Sequence, residues 1–376
     1  MLAGAWKHRA MPSYSTICRD FNARLGLTLP LIQAPMVGIQ GGAMASAVAG
    51  AGALGSLPGA AMTPLALRDA VAAIRAEHAG RAAPVNLNFF CHVPPAADPA
   101  REAAWRAALQ PFYDELGLSQ SSIENGPGRL PFGDEAADAI EAIRPEVVSF
   151  HFGLPSSQML ARVRRCGAQV WSSATTLAEA RWLEAHGVDA IIAQGAEAGG
   201  HRGTFLPGEA LGGVPNAPDV QTQVGTMALL PQVVAAVRVP VIAAGGIADA
   251  AGVAAALGLG AAAVQLGTVF MLCAEATTSA VHRTALQSES ARVTALTNLF
   301  TGRPARAIVN RLMREFGAMS ALAPAFPTAV NALVPLRAAA EKAGRGDFSP
   351  LWAGQNVGGC REIGAAQLVQ ELAAGL

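Results

Sequence analysis

The sequence predicts an α/β chain folded as a (β/α)8 TIM barrel with helical insertions and a helical extension. Three observations carry that expectation. Short apolar runs recur at 31–36, 52–57, 84–89, 146–152, 169–173, 190–194, 240–244 and 262–266. Nearly all lack the alternation of a half-wetted sheet, as strands buried on both faces do. Between them lie Ala- and Leu-rich stretches of helical spacing, at 63–78, 156–166, 176–186, 227–237 and 249–259, so strand and helix alternate along the chain. The length, 376 residues, suits one barrel that carries insertions.

From the N-terminus, residues 1–15 hold Lys7, His8 and Arg9 without an apolar stretch after them, which argues against a secretory signal; Met11 is an alternative start. The stretch 25–67 is free of charge, but Pro30, Pro35, Pro58 and Pro64 interrupt it, so it reads as buried strands and turns and not as a membrane span. Thr176 followed by Glu179, and Asp249 after a Gly-Gly-Ile-Ala turn, mark helix starts. The barrel core is expected over 14–274. Within it, 94–144 is charged, flanked by proline and rich in aromatics (Trp105, Phe112, Tyr113), which predicts a helical excursion. The loop 202–225 has no apolar periodicity and carries Pro207, Pro215 and Pro218, as a lid would. The remainder, 275–376, is helix-rich and is expected to pack over a barrel mouth or its side.

Hydrophobic residues make up 52% of the chain and charged residues 14%, with 27 Lys+Arg against 27 Asp+Glu. Nothing there recruits nucleic acid or an acidic membrane, and small-molecule work is favoured. The five cysteines, Cys18, Cys91, Cys166, Cys273 and Cys360, show no C-x-x-C spacing and are odd in number, which points to a reducing cytoplasm.

Barrel enzymes place their chemistry at the C-terminal strand ends, and the residues there are polar. Gln33 and Met36 close the first run, Asn86 and Asn88 the third, His151 the fourth, Ser173 and Thr175 the fifth, Gln194 the sixth and Gln265 the eighth. Neutral amides suit the edge of a heterocycle with alternating donors and acceptors. After the sixth run comes Gln194-Gly195-Ala196-Glu197-Ala198-Gly199-Gly200-His201-Arg202-Gly203, a glycine-rich turn presenting an imidazole that titrates near neutrality. His201 is the candidate catalytic residue. Gly245-Gly246 and Gln265-Leu266-Gly267-Thr268 end the seventh and eighth runs just before helical turns, where backbone N–H groups converge on a phosphate. His151 and Arg202 are the candidate substrate contacts. For Arg202 a structural ion pair is the alternative, since neighbours in an extended turn point opposite ways; for His151 it is a strand-tip hydrogen bond.

In this order the segments Gln33-Ala34-Pro35-Met36, Val85-Asn86-Leu87-Asn88, Phe152-Gly153-Leu154-Pro155, 194–205, 243–247, 265–268, 302–311 and Trp352-Ala353-Gly354-Gln355 resemble the nitronate monooxygenase family, formerly called 2-nitropropane dioxygenase, and most closely its class I members. The resemblance spans nearly the whole chain, and 197–202 is its most diagnostic part. It implies non-covalent FMN, with the phosphate at Gly246 and 265–268 and the isoalloxazine near Gln33, Asn88, Gln194 and Gly199. The full set of expected flavin contacts is Gln33, Ala34, Pro35, Met36, Asn86, Asn88, Gln194, Gly199, Gly200, Gly245, Gly246, Gln265, Leu266, Gly267 and Thr268. The implied reaction takes an alkyl nitronate, usually propionate 3-nitronate, and O₂ to a carbonyl compound and nitrite, with no metal, nucleic acid or membrane partner. A homodimer is the assembly to be expected if the chain associates.

Two departures stand out. The chain reads Gly41-Gly42-Ala43-Met44 where relatives often have Ser or Thr before Pro, and it holds only two tyrosines, Tyr14 and Tyr113, so aromatic pocket walls must come from Phe or Trp. Other readings of the same residues are an FMN barrel taking hydride from NAD(P)H, as an enoyl or quinone reductase, and a non-enzymatic flavin- or phosphate-binding barrel. A metal hydrolase built on His92, His151 and His201 lacks a carboxylate partner.

Overall fold

The computed structural model describes residues 14–124, 128–206 and 222–376. Its strands are β1 (Leu31–Gln33), β2 (Gly55–Leu57), β3 (Val85–Phe90), β4 (Val147–His151), β5 (Gln169–Ala174), β6 (Ala190–Gln194), β7 (Gly200–His201), β8 (Val241–Ala244), β9 (Ala263–Leu266), β10 (Thr294–Thr297) and β11 (Ala305–Ile308). Eight of them pair in parallel in the order β1-β9-β8-β6-β5-β4-β3-β2, and a bridge from Ile32 to Leu54 joins the two ends. The eight predicted runs are thus the eight staves of a TIM barrel. β1 stops at Gln33, three residues short of its predicted end, because Pro35 has no N–H to give a ladder.

Alternation along each strand separates two cores. Ile32, Leu54, Val147, Trp171, Ile192 and Ile242 meet inside the barrel, while Leu31, Val148, Val170 and Ile191 face the outer helices. Phe21, from the helix Tyr14–Leu25, packs on Trp171 with ring centroids 5.5 Å apart, so this helix plugs the end where the strands begin. Four predicted helix starts are capped by their own side chains: Thr63, Ser156, Thr176 and Asp249 accept from the amides of Ala66, Met159, Glu179 and Gly252, each cap stabilising its helix by about 1 kcal/mol.

The segment 94–144 divides in two. Helix Asp134–Ile143 packs in the outer ring as the crossover into β4, whereas helix Pro99–Glu115 leaves the barrel. Its Trp105, Leu109, Phe112 and Tyr113 form a second core with Leu299, Phe300, Leu312, Leu333 and Phe348 of the C-terminal region. Trp105 Nε1 and Tyr113 Oη donate to the carbonyls of Ala329 and Ala332, at 3.2 and 2.8 Å, which fixes the two parts together. The last helix, Ala365–Leu372, returns to the barrel and packs beside helices Gly42–Gly50 and Ala250–Gly258. Most of the expected lid, 207–221, lies outside the described residues. No helix among those described is long and apolar enough to cross a membrane.

A small antiparallel sheet, β10-β11-β7, stands beyond the strand tips. Its β7 is the glycine turn picked out above, with His201 opposite Ala305 and Gly200 opposite Arg306.

Candidate active site

The strand tips and the 34–39 turn enclose a cavity of about 220 Å³. His201 and His151 both line it. So do Ala34, Pro35, Met36, Asn88, Gln194, Gly199, Gly200, Gly245, Gly246, Gln265, Leu266, Gly267 and Thr268. One cavity therefore gathers all the expected cofactor contacts except two. Gln33 and Asn86 are fully buried away from it: Gln33 is bonded to Gln40 and to the Ser56 amide, and Asn86 donates to Ser56 Oγ at 3.0 Å. Asn86 lies on the same side of β3 as Asn88 but one layer deeper, about 7 Å along the strand, and so stands beneath the cavity and not in its wall.

His201 is held from both ends. Its carbonyl accepts from His151 Nε2 at 3.1 Å and from Gln194 Nε2 at 2.9 Å, and Gln194 Oε1 takes the Gly203 amide at 2.8 Å. The Gln194 amide thus shapes the turn that carries the histidine. Its ring nitrogen Nε2 is 2.9 Å from Thr301 Oγ1. Phe90, Phe152, Phe326 and Trp352 surround the imidazole, with centroids 5.3 to 6.3 Å away. These are the Phe and Trp walls that the scarcity of tyrosine required. Phe152 takes φ +71, a left-handed backbone that strains a side-chain-bearing residue, and this aims its ring between the histidines.

Burial pushes His201 well below the usual imidazole range, and the neighbouring His151, Arg129, Arg303 and His92 push it further. His151 falls to about 4, chiefly by burial, with Arg303 and Arg202 adding to the effect and its bond to the His201 carbonyl opposing it. Both rings are neutral near pH 7. Since His151 Nε2 donates to a carbonyl, its Nδ1 is bare and accepts from Ser173 Oγ at 3.0 Å.

Elsewhere in the lining, Gln265 Oε1 is buried without a hydrogen-bond partner among the described residues. Asn88 uses its Nδ2 on Ser149 and leaves Oδ1 over. Gly245 takes φ +122, and a Cβ there would stand 2.8 Å from Thr226 Oγ1; at Gly199 a Cβ would stand 2.6 Å from the Gly354 amide. Neither position admits a side chain, so bare backbone lines the cavity on that side. Glu197, part of the diagnostic turn, accepts from the Thr226 amide and hydroxyl at 2.8 Å, and so ties that turn to helix Thr226–Ala236. A cavity-lining glutamine with an orphaned buried amide oxygen, beside glycines that admit no side chain, fits the edge of a flavin ring.

Arg202 is not in the cavity wall. It alternates away from His201 along the extended chain, is 1% exposed, and donates to the carbonyls of Gln194 and Gly195 and to Gln223 Oε1. The expectation of a substrate contact at Arg202 is corrected by that geometry: the guanidinium binds backbone oxygens of the β6 turn. The partners are carbonyls and an amide and not the carboxylate of an ion pair. Arg129 and Thr301 are site residues that sequence reasoning missed. The five thiols are unpaired, and burial raises the pKa of every one, so none is poised as a nucleophile.

A family model described as "Nitronate monooxygenase" matches residues 21–375. The chain is 40% identical over 361 residues to a nitronate monooxygenase of Pseudomonas aeruginosa, covering 94% of this chain and 97% of the relative. It is 42% identical over 350 residues to one of Paraburkholderia phytofirmans, covering 93% and 92%. Among solved structures it resembles nitroalkane oxidase from Streptomyces ansochromogenes, with a TM-score of 0.79 and 38% identity over 93% of this chain and 95% of that one.

Proposed function

The chain belongs to the nitronate monooxygenase family, a family of flavin-dependent oxidoreductases that oxidise nitronates, and from that premise we propose that it converts propionate 3-nitronate and O₂ to a carbonyl compound and nitrite with non-covalent FMN. The observation that carries the proposal is one cavity lined both by the neutral imidazole of His201 and by Gln265, whose Oε1 is unpartnered among the described residues. Bound FMN supplies the electron acceptor and the reaction with O₂. The residues suited to hold it are Gly245, Gly246, Gly267 and Thr268 toward a phosphate, and Asn88 and Gln265 toward the ring.

The protein's own tasks are then few. A nitronate arrives already deprotonated at carbon, so the site must hold an anion and exclude bulk water. The aromatic walls around His201 do the second. A neutral nitroalkane needs its α-proton removed first, and an uncharged imidazole is suited to take it. The unpaired thiols support a cytoplasmic setting.

The test is the absorption spectrum of the purified protein, identification of the flavin released on heating, and O₂ uptake with nitrite release on propionate 3-nitronate. A colourless protein, or FAD in place of FMN, defeats the cofactor assignment. Anaerobic bleaching of the flavin by NADPH, with none by nitronate, defeats the reaction in favour of a hydride-accepting reductase.

A further inference from the structure

We propose that Arg129 is the specificity-determining residue of the site and binds a carboxylate on the substrate's tail, so that the preferred nitronates carry a second negative charge remote from the reacting carbon. The assignment builds on nitronates being the substrates. It rests on which positive charges the cavity presents.

Four arginines stand near His201, and three of them have other partners. Arg202 is bound to carbonyls as described. Arg306 donates to the carbonyls of Ala196 and Thr294 and to Thr294 Oγ1. Arg303 donates to the Thr204 carbonyl and stacks on Phe152 with its guanidinium carbon 4.0 Å from the ring centroid. None of the three lines the cavity. Arg129 does, and among the described residues its guanidinium has neither a hydrogen bond nor an ion pair; it stands over the Phe90 ring, 5.9 Å from the centroid. Among the described residues no Asp or Glu lines the cavity, and the two imidazoles there are neutral. Arg129 is the full positive charge in that wall.

Its backbone is fixed as a binding residue's should be. The Arg129 carbonyl accepts from His92 Nε2 at 3.0 Å, and three residues on, the Phe132 amide donates to the Phe90 carbonyl at 2.7 Å. The side chain is therefore launched from a pinned loop beside the end of β3. Burial lowers the Arg129 pKa without an anion to offset it, the condition in which a charge-assisted bond to a carboxylate gains most. Phe90 neighbours both groups, with Arg129 over its ring and the His201 ring centroid 6.3 Å from its own, and all three line the same cavity. In this assignment a nitronate lying against His201 has Arg129 in the same cavity to receive its tail, and a guanidinium meets a carboxylate in a fork geometry that a neutral alkyl end cannot reproduce.

The test uses flavin-loaded enzyme and two substrates of similar length, propionate 3-nitronate and propyl-1-nitronate. In Arg129→Met the ratio of their kcat/KM values should fall by about 10- to 100-fold, mainly through KM for the carboxylate substrate, and Arg129→Lys should recover part of it. Calorimetric titration with 3-nitropropionate, which needs no turnover, should show Kd rising by a similar factor in Arg129→Met. An unchanged ratio with unchanged Kd overturns the proposal, and so does an equal loss on both substrates, which would place Arg129 at the nitronate group. If the wild type consumes O₂ with neither nitronate, the reaction is wrong, and the calorimetry still decides whether Arg129 holds a carboxylate.

Discussion

His201 Nε2 lies 2.9 Å from Thr301 Oγ1, and the same hydroxyl lies 3.4 Å from the carbonyl of Arg303. A carbonyl only accepts, so the threonine proton goes to Arg303 and the threonine oxygen takes the Nε2 proton of the histidine. That order assigns the tautomer. Nδ1 is then the basic nitrogen, and Thr301 is a positioning residue acting through the ring. Thr301→Val should lower kcat/KM for a neutral nitroalkane by roughly 10-fold and shift the acidic limb of its pH profile, where the base becomes protonated, on the scale of a lost hydrogen bond. Thr301→Ser should restore both. A valine variant with an unshifted pH profile would sink the tautomer assignment.

His201→Asn separates two tasks of the imidazole, because an amide keeps a polar contact but is no base near neutral pH. Oxidation of preformed nitronate should persist to a substantial extent while activity on neutral nitroalkane falls by roughly 10²-fold or more. Oxygen uptake on both forms at matched pH is the measurement. Wild-type rates on both would remove His201 from the role of base.

Gly267→Leu should yield folded protein with low flavin occupancy. A Cβ at this position meets Ala34 Cβ at 3.4 Å and Met36 Sδ at 3.5 Å, ordinary contacts, so the backbone tolerates it while the rest of the side chain enters the cavity. Circular dichroism checks the fold, and the ratio of flavin to protein absorbance reads the occupancy. Full occupancy would mean that the phosphate lies elsewhere.

Stability should fall as the pH drops from about 6.5 toward about 4. His151 and His282 are each lowered to about 4, first by burial, and His201 lies well below its ordinary value. The unfolded chain binds protons at these rings below about 6.5 where the folded chain does not, so their neutral burial is fully tolerated above that pH and costs up to about 1.4 kcal/mol per pH unit per ring below it. Glu141, held low by Arg162, loses its contribution only below the usual carboxylate range, which separates the two effects. Urea midpoints that stay level from neutrality to pH about 4.5 would contradict the buried imidazoles.

Most of the barrel was legible because parallel strands and capped helices leave local marks. The apolar runs, Thr63, Ser156, Thr176 and Asp249 each announce an element within a few residues of themselves. Depth was not legible. Asn86 and Asn88 read alike in sequence, yet one is bonded beneath the cavity and one lines it. Arg202 followed the alternation rule and turned away. Arg129 and Thr301 left no mark at all, since each reaches the site by tertiary packing, from the excursion before β4 and from the chain 100 residues after His201.

The pairing of β7 with β11 has a consequence for how the protein is assembled. Every strand of the ring can pair before residue 267 is reached, but Gly200 and His201 find their ladder partners only at Arg306 and Ala305. The barrel is then a scaffold that can close with its key side chain still loose, and registration of that side chain waits for a contact of long sequence separation, which forms late and opens readily. Hydrogen exchange should show the amides of 200–202 opening together with those of 305–308 and ahead of the ring strands, so that mild destabilisation anywhere in the C-terminal region silences the site long before it unfolds the barrel.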